Sequence, residues 1–224
     1  MSTDNRTGNK NVIMTNVKDM FKERNHIKVF VSSTVYDFET QLDMVYSTLD
    51  GYGYDVMMSH KGTIPLDSKL SNLENCLKGV EDCDVFLGFV RPLTGTGILK
   101  PGEKSITAQE FEVAFRVNMP RFVLADYRVV FARQFTNLMK IPTGDIPNSV
   151  RRERSDGSIV ERPNRVVHAE SIELYNVAIL NNTLPKSRKG NWVQEYRNMQ
   201  DVMLHVEAQF KDVERIKQLI GSHE

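Results

Sequence analysis

The chain has 224 residues, and its 29 lysine and arginine residues balance 29 aspartate and glutamate residues, so its formal net charge is zero. This balance disfavours a nucleic-acid-binding surface built on bulk positive charge. There is no apolar run of about 18 residues, and residues 1–25 are polar with scattered charges, so neither a membrane span nor a signal peptide is predicted. We expect a cytoplasmic protein that binds neither nucleic acid nor membranes.

Apolar runs rich in β-branched and aromatic residues recur along the first half of the chain, about 30 residues apart, as βαβ units require. The predicted strands cover 27–31, 54–58, 85–90 and 121–125, and helical patterns between them cover 36–49, 73–80 and 107–117. Because parallel strands need crossover connections and crossover helices cover a sheet face, this alternation predicts an α/β fold with a doubly wound, mostly parallel sheet.

The second half is less regular. We predict helices at 127–138 and 171–180, a charged surface loop from 151 to Pro163, a second loop at 185–190, a short strand around Trp192 and one long amphipathic helix over 198–220. Trp192 is interpreted as a packing anchor. The predicted organisation is an N-terminal tail or short helix over 1–25, with a short helical pattern at 12–23, followed by one domain over 26–224.

The cysteines and histidines do not predict a metal site. Cys76 and Cys83 are seven positions apart, which is roughly 10 Å along one helix and too far for a disulfide, so both are expected to be reduced thiols. The five histidines, at 26, 60, 168, 205 and 223, have no metal-ligand spacing with one another or with the cysteines.

Three hydroxyl residues, Ser32, Ser33 and Thr34, follow the first predicted strand directly. Open α/β sheets bind ligands where strands end and helices begin, because loops converge there and helix N-termini offer free amides. We therefore expect these three residues to line a nucleotide pocket and to face ribose or phosphate.

A phosphate-binding loop is not predicted elsewhere. The stretch from Gly97 to Ser105 resembles GxxxxGK[ST], but Glu103 intrudes between the second glycine and the lysine. Since a carboxylate has the wrong charge for a phosphate cradle, residues 91–104 are interpreted as a long flexible loop at the mouth of the sheet.

Thr107 and Glu110 stand three apart at the start of a predicted helix, and this spacing has two interpretations. Thr-x-x-Glu is a capping box, as is the Ser71-to-Glu74 segment. Alternatively, Glu110 lies at the carboxyl edge of the sheet, where its carboxylate holds a ribose diol and stabilises positive charge at the anomeric carbon. One carboxylate suffices for a nicotinamide–ribose bond, because the leaving group departs neutral and needs no proton donor.

Three further polar residues are candidates for ligand binding, each with a structural alternative. Asp37 either contacts ligand or complements the dipole of the following helix. Asn75 either reaches the cleft from the second helix or is an exposed polar position. Arg91 ends the third strand and either meets a pyrophosphate as a fork-shaped donor or is solvated.

Several of these motifs together resemble the DUF4062 family of TIR-like domains, over about 28–212. The resemblance rests on residues 28–37, Gly53-Tyr-Asp-Val, residues 71–77, 81–87 and 105–114, Pro120-Arg-Phe-Val, Gly190-Asn-Trp-Val-Gln and residues 206–210. It implies a flavodoxin-like sheet of about five parallel strands. The sequence departs from the family pattern in the first helix, which reads Glu39-Thr-Gln-Leu-Asp43.

The resemblance also implies a function. It implies that Glu110 is the catalytic glutamate, that Ser32, Ser33, Thr34 and Thr107 contribute to substrate binding, and that NAD is a substrate, with no cofactor required. TIR-like enzymes cleave NAD to nicotinamide and ADP-ribose or a cyclised isomer, often in bacterial anti-phage systems such as Thoeris. Such enzymes are often homo-oligomers, and a partner protein supplies the trigger or senses the product.

Two other functions remain open at this stage. Many TIR domains are interaction modules without activity, and in such a module Glu110 merely caps its helix. A nucleoside or nucleotide N-glycosidase, or a deoxyribosyltransferase, uses the same carboxylate on a different substrate.

Overall fold

A computed structural model describes residues 26–95, 103–188 and 192–222. The predicted helix at 12–23 lies outside these residues, as do residues 96–102 of the predicted loop at 91–104. The described strands are β1 (Lys28–Ser32), β2 (Asp55–Met57), β3 (Val85–Val90), β4 (Arg121–Asp126), β5 (Ser149–Glu153), β6 (Ile159–Pro163) and β7 (Val193–Tyr196).

Seven α-helices are described, together with three 3₁₀ turns at Ser59–Lys61, Thr143–Asp145 and Pro185–Ser187. The helices are α1 (Glu39–Gly51), α2 (Asn72–Glu81), α3 (Ile106–Arg116), α4 (Tyr127–Met139), α5 (Ala169–Ala178), α6 (Met199–Phe210) and α7 (Val213–Gly221). None of these helices is long and apolar enough to cross a membrane.

The main sheet has five parallel strands in the order β2-β1-β3-β4-β7. This is the flavodoxin-like order, so the predicted α/β fold is confirmed. The strand order reverses between β1 and β3, and crevices form at such a reversal because the loops after the two strands diverge to opposite faces.

Alternate residues of the strands feed two separate cores, one on each face of the sheet. On one face Phe30 and Phe86 pack with α2, α3, α4 and α5. On the other face Val29 and Leu87 pack with α1, α6 and α7. Since both faces are covered, the central strand β3 is buried at all six positions, and it reads in sequence as a continuous apolar run.

Gly88 fixes how closely α3 approaches the sheet. A Cβ atom built at this position of β3 would lie 2.4 Å from Cζ of Phe111 and 2.7 Å from Cε1 of Phe86. The two rings meet edge to face with their centroids 5.0 Å apart, a favoured aromatic geometry. The missing side chain thus allows α3, which carries Glu110, to sit directly on the middle of the sheet.

Two of the predicted elements are wrong. The predicted loop at 151–163 contains most of an antiparallel hairpin, β5 and β6, which turns at Gly157 with a positive φ of 79°. The Asp156-Gly157 pair is a hairpin signal. The predicted long C-terminal helix is two helices, because Asp212 caps α7 by accepting a hydrogen bond from the Arg215 amide.

The predicted role of Trp192 is also wrong. Trp192 is not a packing anchor, since it is 72% exposed.

Candidate active site

A cavity of about 820 Å³ lies beside the point where the strand order reverses, which is within the usual size for small-molecule sites. Its wall comes from the loops that follow β1, β2 and β3, from one side of α2, from the first turns of α3 and from the segment after β6. The contributing residues lie at 33–36, 39, 59, 62, 64, 66, 72, 76, 93–95, 105–107, 110, 163–165 and 168.

Glu110 forms the buried acidic group of this cavity. Only 4% of the residue is exposed, and its Oε2 accepts a hydrogen bond of 2.5 Å from the Ser32 hydroxyl. Burial raises the pKa of Glu110 from 4.5 to about 7, and the hydrogen bonds from Ser32 and Cys76 act in the opposite direction. Desolvation therefore dominates, and the carboxyl group is poised to change its charge near neutral pH.

The predicted capping box of Thr107 and Glu110 is wrong. The N-cap of α3 is Ser105, whose Oγ accepts a hydrogen bond from the Ala108 amide, and Thr107 lies inside the helix. With Ser105 as the N-cap, a capping glutamate would stand at position 108. Glu110 lies two residues further into the helix, and its side chain turns toward β1 instead. The other predicted box, Ser71 with Glu74, is present with both of its hydrogen bonds.

Cys76 was not predicted as a site residue, yet it borders the cavity beside Glu110. Burial, followed by the nearby charge of Glu110, raises the pKa of the Cys76 thiol to about 11. The thiol is therefore protonated and serves as a weak donor to the carboxylate. Both described cysteines are free, as predicted.

The three hydroxyl residues at the end of β1 and in the loop after it, Ser32, Ser33 and Thr34, have two different roles. Ser33 and Thr34 line the cavity, and the Ser33 hydroxyl donates to the carbonyl of Thr34. Ser32 is only 1% exposed and lies beneath the wall, where it holds Glu110. Two of the three predicted residues thus face the cavity, and the third orients the carboxylate.

His168 closes the cavity on the side of the hairpin. Its Nδ1 accepts a hydrogen bond of 3.2 Å from the Thr94 amide, so this nitrogen carries a lone pair, and its Nε2 lies 3.1 Å from the Asn164 carbonyl. These contacts fit the tautomer that carries its proton on Nε2. The His168 amide also donates to the Pro92 carbonyl, so the segment before α5 is tied to the loop after β3.

Asn75 does not reach the cleft and is not exposed, so both interpretations were wrong. It is 5% exposed; its Oδ1 accepts a hydrogen bond from the Asp67 amide, and its Nδ2 donates to the carbonyls of Asp67, Leu70 and Ser71. The side chain holds the loop that leads into α2.

Asp37 and Arg91 lie at a second, smaller cavity of about 390 Å³. Asp37 precedes α1 with a left-handed backbone (φ 57°), and the acidic residue of the first helical turn is instead Glu39. Arg91 stacks its guanidinium over the Phe38 ring at 4.0 Å. The two predicted residues therefore share a site, but it is not the Glu110 cavity.

The part of the chain that the structure describes contains no group of three or more metal-ligating side chains that could hold an ion. Beside the buried carboxyl of Glu110, the larger cavity offers the two groups that donate to it, the hydroxyls of Ser33 and Thr34, and the ring of His168.

Residues 28–134 match the model of the family described as DUF4062, a domain of unknown function. No curated protein and no solved structure matches the chain significantly. The match includes Ser32, Cys76 and Glu110 but ends before the hairpin and His168, so the predicted extent to residue 212 reaches beyond it. The predicted family is confirmed for this segment: residues 28–134 carry a DUF4062 domain.

Proposed function

We propose that the chain cleaves the bond between nicotinamide and ribose in NAD, as a glycohydrolase or a cyclase, with Glu110 as the catalytic carboxylate. The observation that carries the proposal is a single buried glutamate, with a pKa raised to about 7, on a cavity where the strand order reverses. Perturbed ionisable groups in clefts mark functional sites, and reversal points of this kind bind nucleotides.

The chemistry needs little beyond these groups. As the bond between C1′ and the pyridinium nitrogen breaks, its electron pair passes to that nitrogen, and nicotinamide leaves as a neutral molecule. Positive charge then develops on C1′ and the ring oxygen, and the Glu110 carboxylate stabilises this charge in a site where little water screens it. Water attacks C1′ and loses a proton to give ADP-ribose; attack by a nucleophile of the same molecule gives a cyclised isomer.

Two neighbours of Glu110 favour its charged form and so oppose the effect of burial. Ser32 and Cys76 both donate to the carboxylate, and both lower the pKa that burial raises. A pyridinium group entering the cavity adds an opposite charge, which lowers the pKa further. The substrate thus promotes the ionised state that its own cleavage requires.

The biological setting we propose follows the family resemblance. The product, ADP-ribose or its isomer, acts as a signal in a bacterial anti-phage system of the Thoeris type and is sensed by a partner protein. Self-association of the chain completes or activates the site.

Two alternatives compete with this function. An N-glycosidase or deoxyribosyltransferase acting on nucleosides or nucleotides requires the same carboxylate. A catalytically silent interaction module requires no carboxylate, so Glu110 would then need a structural role. The obvious role is to cap its helix, but Ser105 supplies that cap.

A substrate panel separates these functions. Concentrated protein is incubated with NAD, with a purine nucleoside and with a deoxynucleoside plus a free base, and the products are resolved by chromatography. Release of nicotinamide together with ADP-ribose or its cyclised isomer supports the proposal. Cleavage or base exchange only in the nucleosides would replace it with the transferase function, and silence toward all three substrates would favour the interaction module.

A further inference from the structure

The smaller cavity adjoins the Glu110 cavity, and the two share the wall residues Tyr36, Leu93 and Arg165. Four charged side chains border the smaller cavity, and three of them are arginines: Arg91, Arg128 and Arg165. The fourth is Asp37.

The three arginines are not equally available. Arg128 forms a two-pronged pair with Asp126, through Nε to Oδ1 at 2.9 Å and Nη2 to Oδ2 at 2.8 Å. Arg91 and Arg165 form no ion pair with any described acid, and Asp37 pairs with neither of them. Two unpaired guanidiniums thus face one unpaired carboxylate, and the cavity keeps an excess of positive charge.

Arg91 is the more unusual of the two. Its Nε is buried with no hydrogen-bond partner among the described residues. Its guanidinium stacks on the Phe38 ring, and Nη2 donates a long hydrogen bond of 3.5 Å to the Tyr36 carbonyl. Burial lowers the pKa of Arg91 below its ordinary value. A buried donor without a partner is costly, and it shows that the described residues do not satisfy the Arg91 guanidinium, which borders the cavity.

We propose that the smaller cavity is a diphosphate subsite, in which Arg91 and Arg165 bind the phosphates of a dinucleotide whose ribosyl bond lies at Glu110. Guanidinium groups suit this role because their planar donors pair with two phosphate oxygens at once. The inference rests on the proposed function for the identity of the substrate, and it assigns the substrate class: two nucleosides joined by a diphosphate, and not a free nucleoside.

Binding to ADP-ribose tests the subsite without any need for catalysis. Titration calorimetry compares ADP-ribose, inorganic diphosphate and adenosine on the wild-type chain and on three variants. Arg165→Gln removes an exposed charge, and Arg91→Lys keeps the charge but loses the fork. Arg162→Gln is the matched control, because Arg162 is an exposed arginine three positions before Arg165 that lines neither cavity.

We expect the wild type and Arg162→Gln to bind ADP-ribose and diphosphate, with adenosine much weaker. We expect Arg165→Gln and Arg91→Lys each to weaken ADP-ribose binding about tenfold, the loss of roughly one charge-assisted contact. The subsite would be overturned if Arg165→Gln and Arg91→Lys both bound ADP-ribose as tightly as the wild type does. It would also be overturned if the wild type bound adenosine as tightly as ADP-ribose, or bound neither ADP-ribose nor diphosphate. Arginine-dependent binding in a chain that does not cleave NAD would support the subsite and contradict the catalytic proposal alone.

Discussion

Ser32, the last residue of β1, donates its hydroxyl hydrogen to Oε2 of Glu110 on α3 across 2.5 Å, although 78 residues separate them in the chain. The bond is possible because β1 lies beside β3 in the sheet and α3 packs on that sheet against Gly88. It links β1 to the one described carboxyl whose pKa is strongly raised, so the titration of Glu110 should report on both β1 and α3.

The first prediction concerns stability and pH. The folded chain holds a proton on Glu110 between pH 4.5 and about 7, whereas the unfolded chain has released it. Because the folded state binds more protons in this window, its free energy of unfolding falls as the pH rises, by about 3 kcal/mol from this group. Urea unfolding at pH 5 and pH 8 measures the change.

Glu110→Gln should lose that part of the pH dependence, since glutamine stays neutral. The control is Glu112→Gln on the same helix, because Glu112 is exposed and pairs with Lys104 at the surface. If Glu110→Gln and the wild type show the same change between pH 5 and pH 8, the carboxyl does not titrate as the structure indicates.

The second prediction is for Ser32→Ala. Loss of the hydroxyl removes a donor that lowers the pKa of Glu110, so the rise of NAD cleavage with pH should move to higher pH, and activity at pH 7 should fall about tenfold. Ser33→Ala serves as the control, because that hydroxyl bonds the Thr34 carbonyl and not Glu110. The pH–rate profile of Ser32→Ala should have its midpoint at higher pH than the profile of Ser33→Ala. Identical midpoints in the two variants would exclude this role for Ser32.

The third prediction compares two possible caps of α3. Ser105→Ala should lower the free energy of unfolding by about 1 kcal/mol, because the Ser105 hydroxyl accepts a hydrogen bond from the Ala108 amide. Thr107→Val should change it less, since Thr107 lies within the helix and caps nothing. Chemical denaturation of both variants gives the answer, and a larger loss for Thr107→Val would restore the capping box.

The fourth prediction is for Gly88→Ala. Its methyl group would lie 2.4 Å from the Phe111 ring, so the ring and α3 must move, and we expect a loss of about 1–3 kcal/mol in unfolding free energy. Gly51→Ala is the control, because no heavy atom lies within 4 Å of a Cβ built there. The shift of α3 should also reduce cleavage. Unchanged stability in Gly88→Ala would mean that α3 does not depend on this close approach.

Much of the fold was predictable because its signals are local. The four apolar strand runs stood out since they are buried on both faces of the sheet, and the spacing between them left room only for crossover helices. The hairpin of β5 and β6 was missed because nearly all of its residues are exposed and about half are charged, which leaves no alternating apolar pattern. The break before α7 was missed because the apolar pattern continues across Asp212.

The site was only partly predictable. Glu110 was singled out by the Thr-x-x-Glu spacing and the family resemblance. Its partner Cys76 was not, because the contact joins two helices and leaves no trace in the spacing of residues. His168 lies outside the matched family domain, and only the tertiary fold brings it to the wall. Ser105 and Thr107 both suit an N-cap, and the choice between them depends on where the chain leaves the sheet edge.

The most direct test of the account is NAD turnover at high protein concentration, with nicotinamide and the sugar-nucleotide product resolved, for the wild type, Glu110→Gln and Glu112→Gln. Each variant replaces one carboxylate of α3 by an amide of nearly the same shape. We predict that the wild type and Glu112→Gln release nicotinamide, while folded Glu110→Gln is at least about a hundredfold slower. Equal turnover in Glu110→Gln, or no turnover in the wild type, would contradict it.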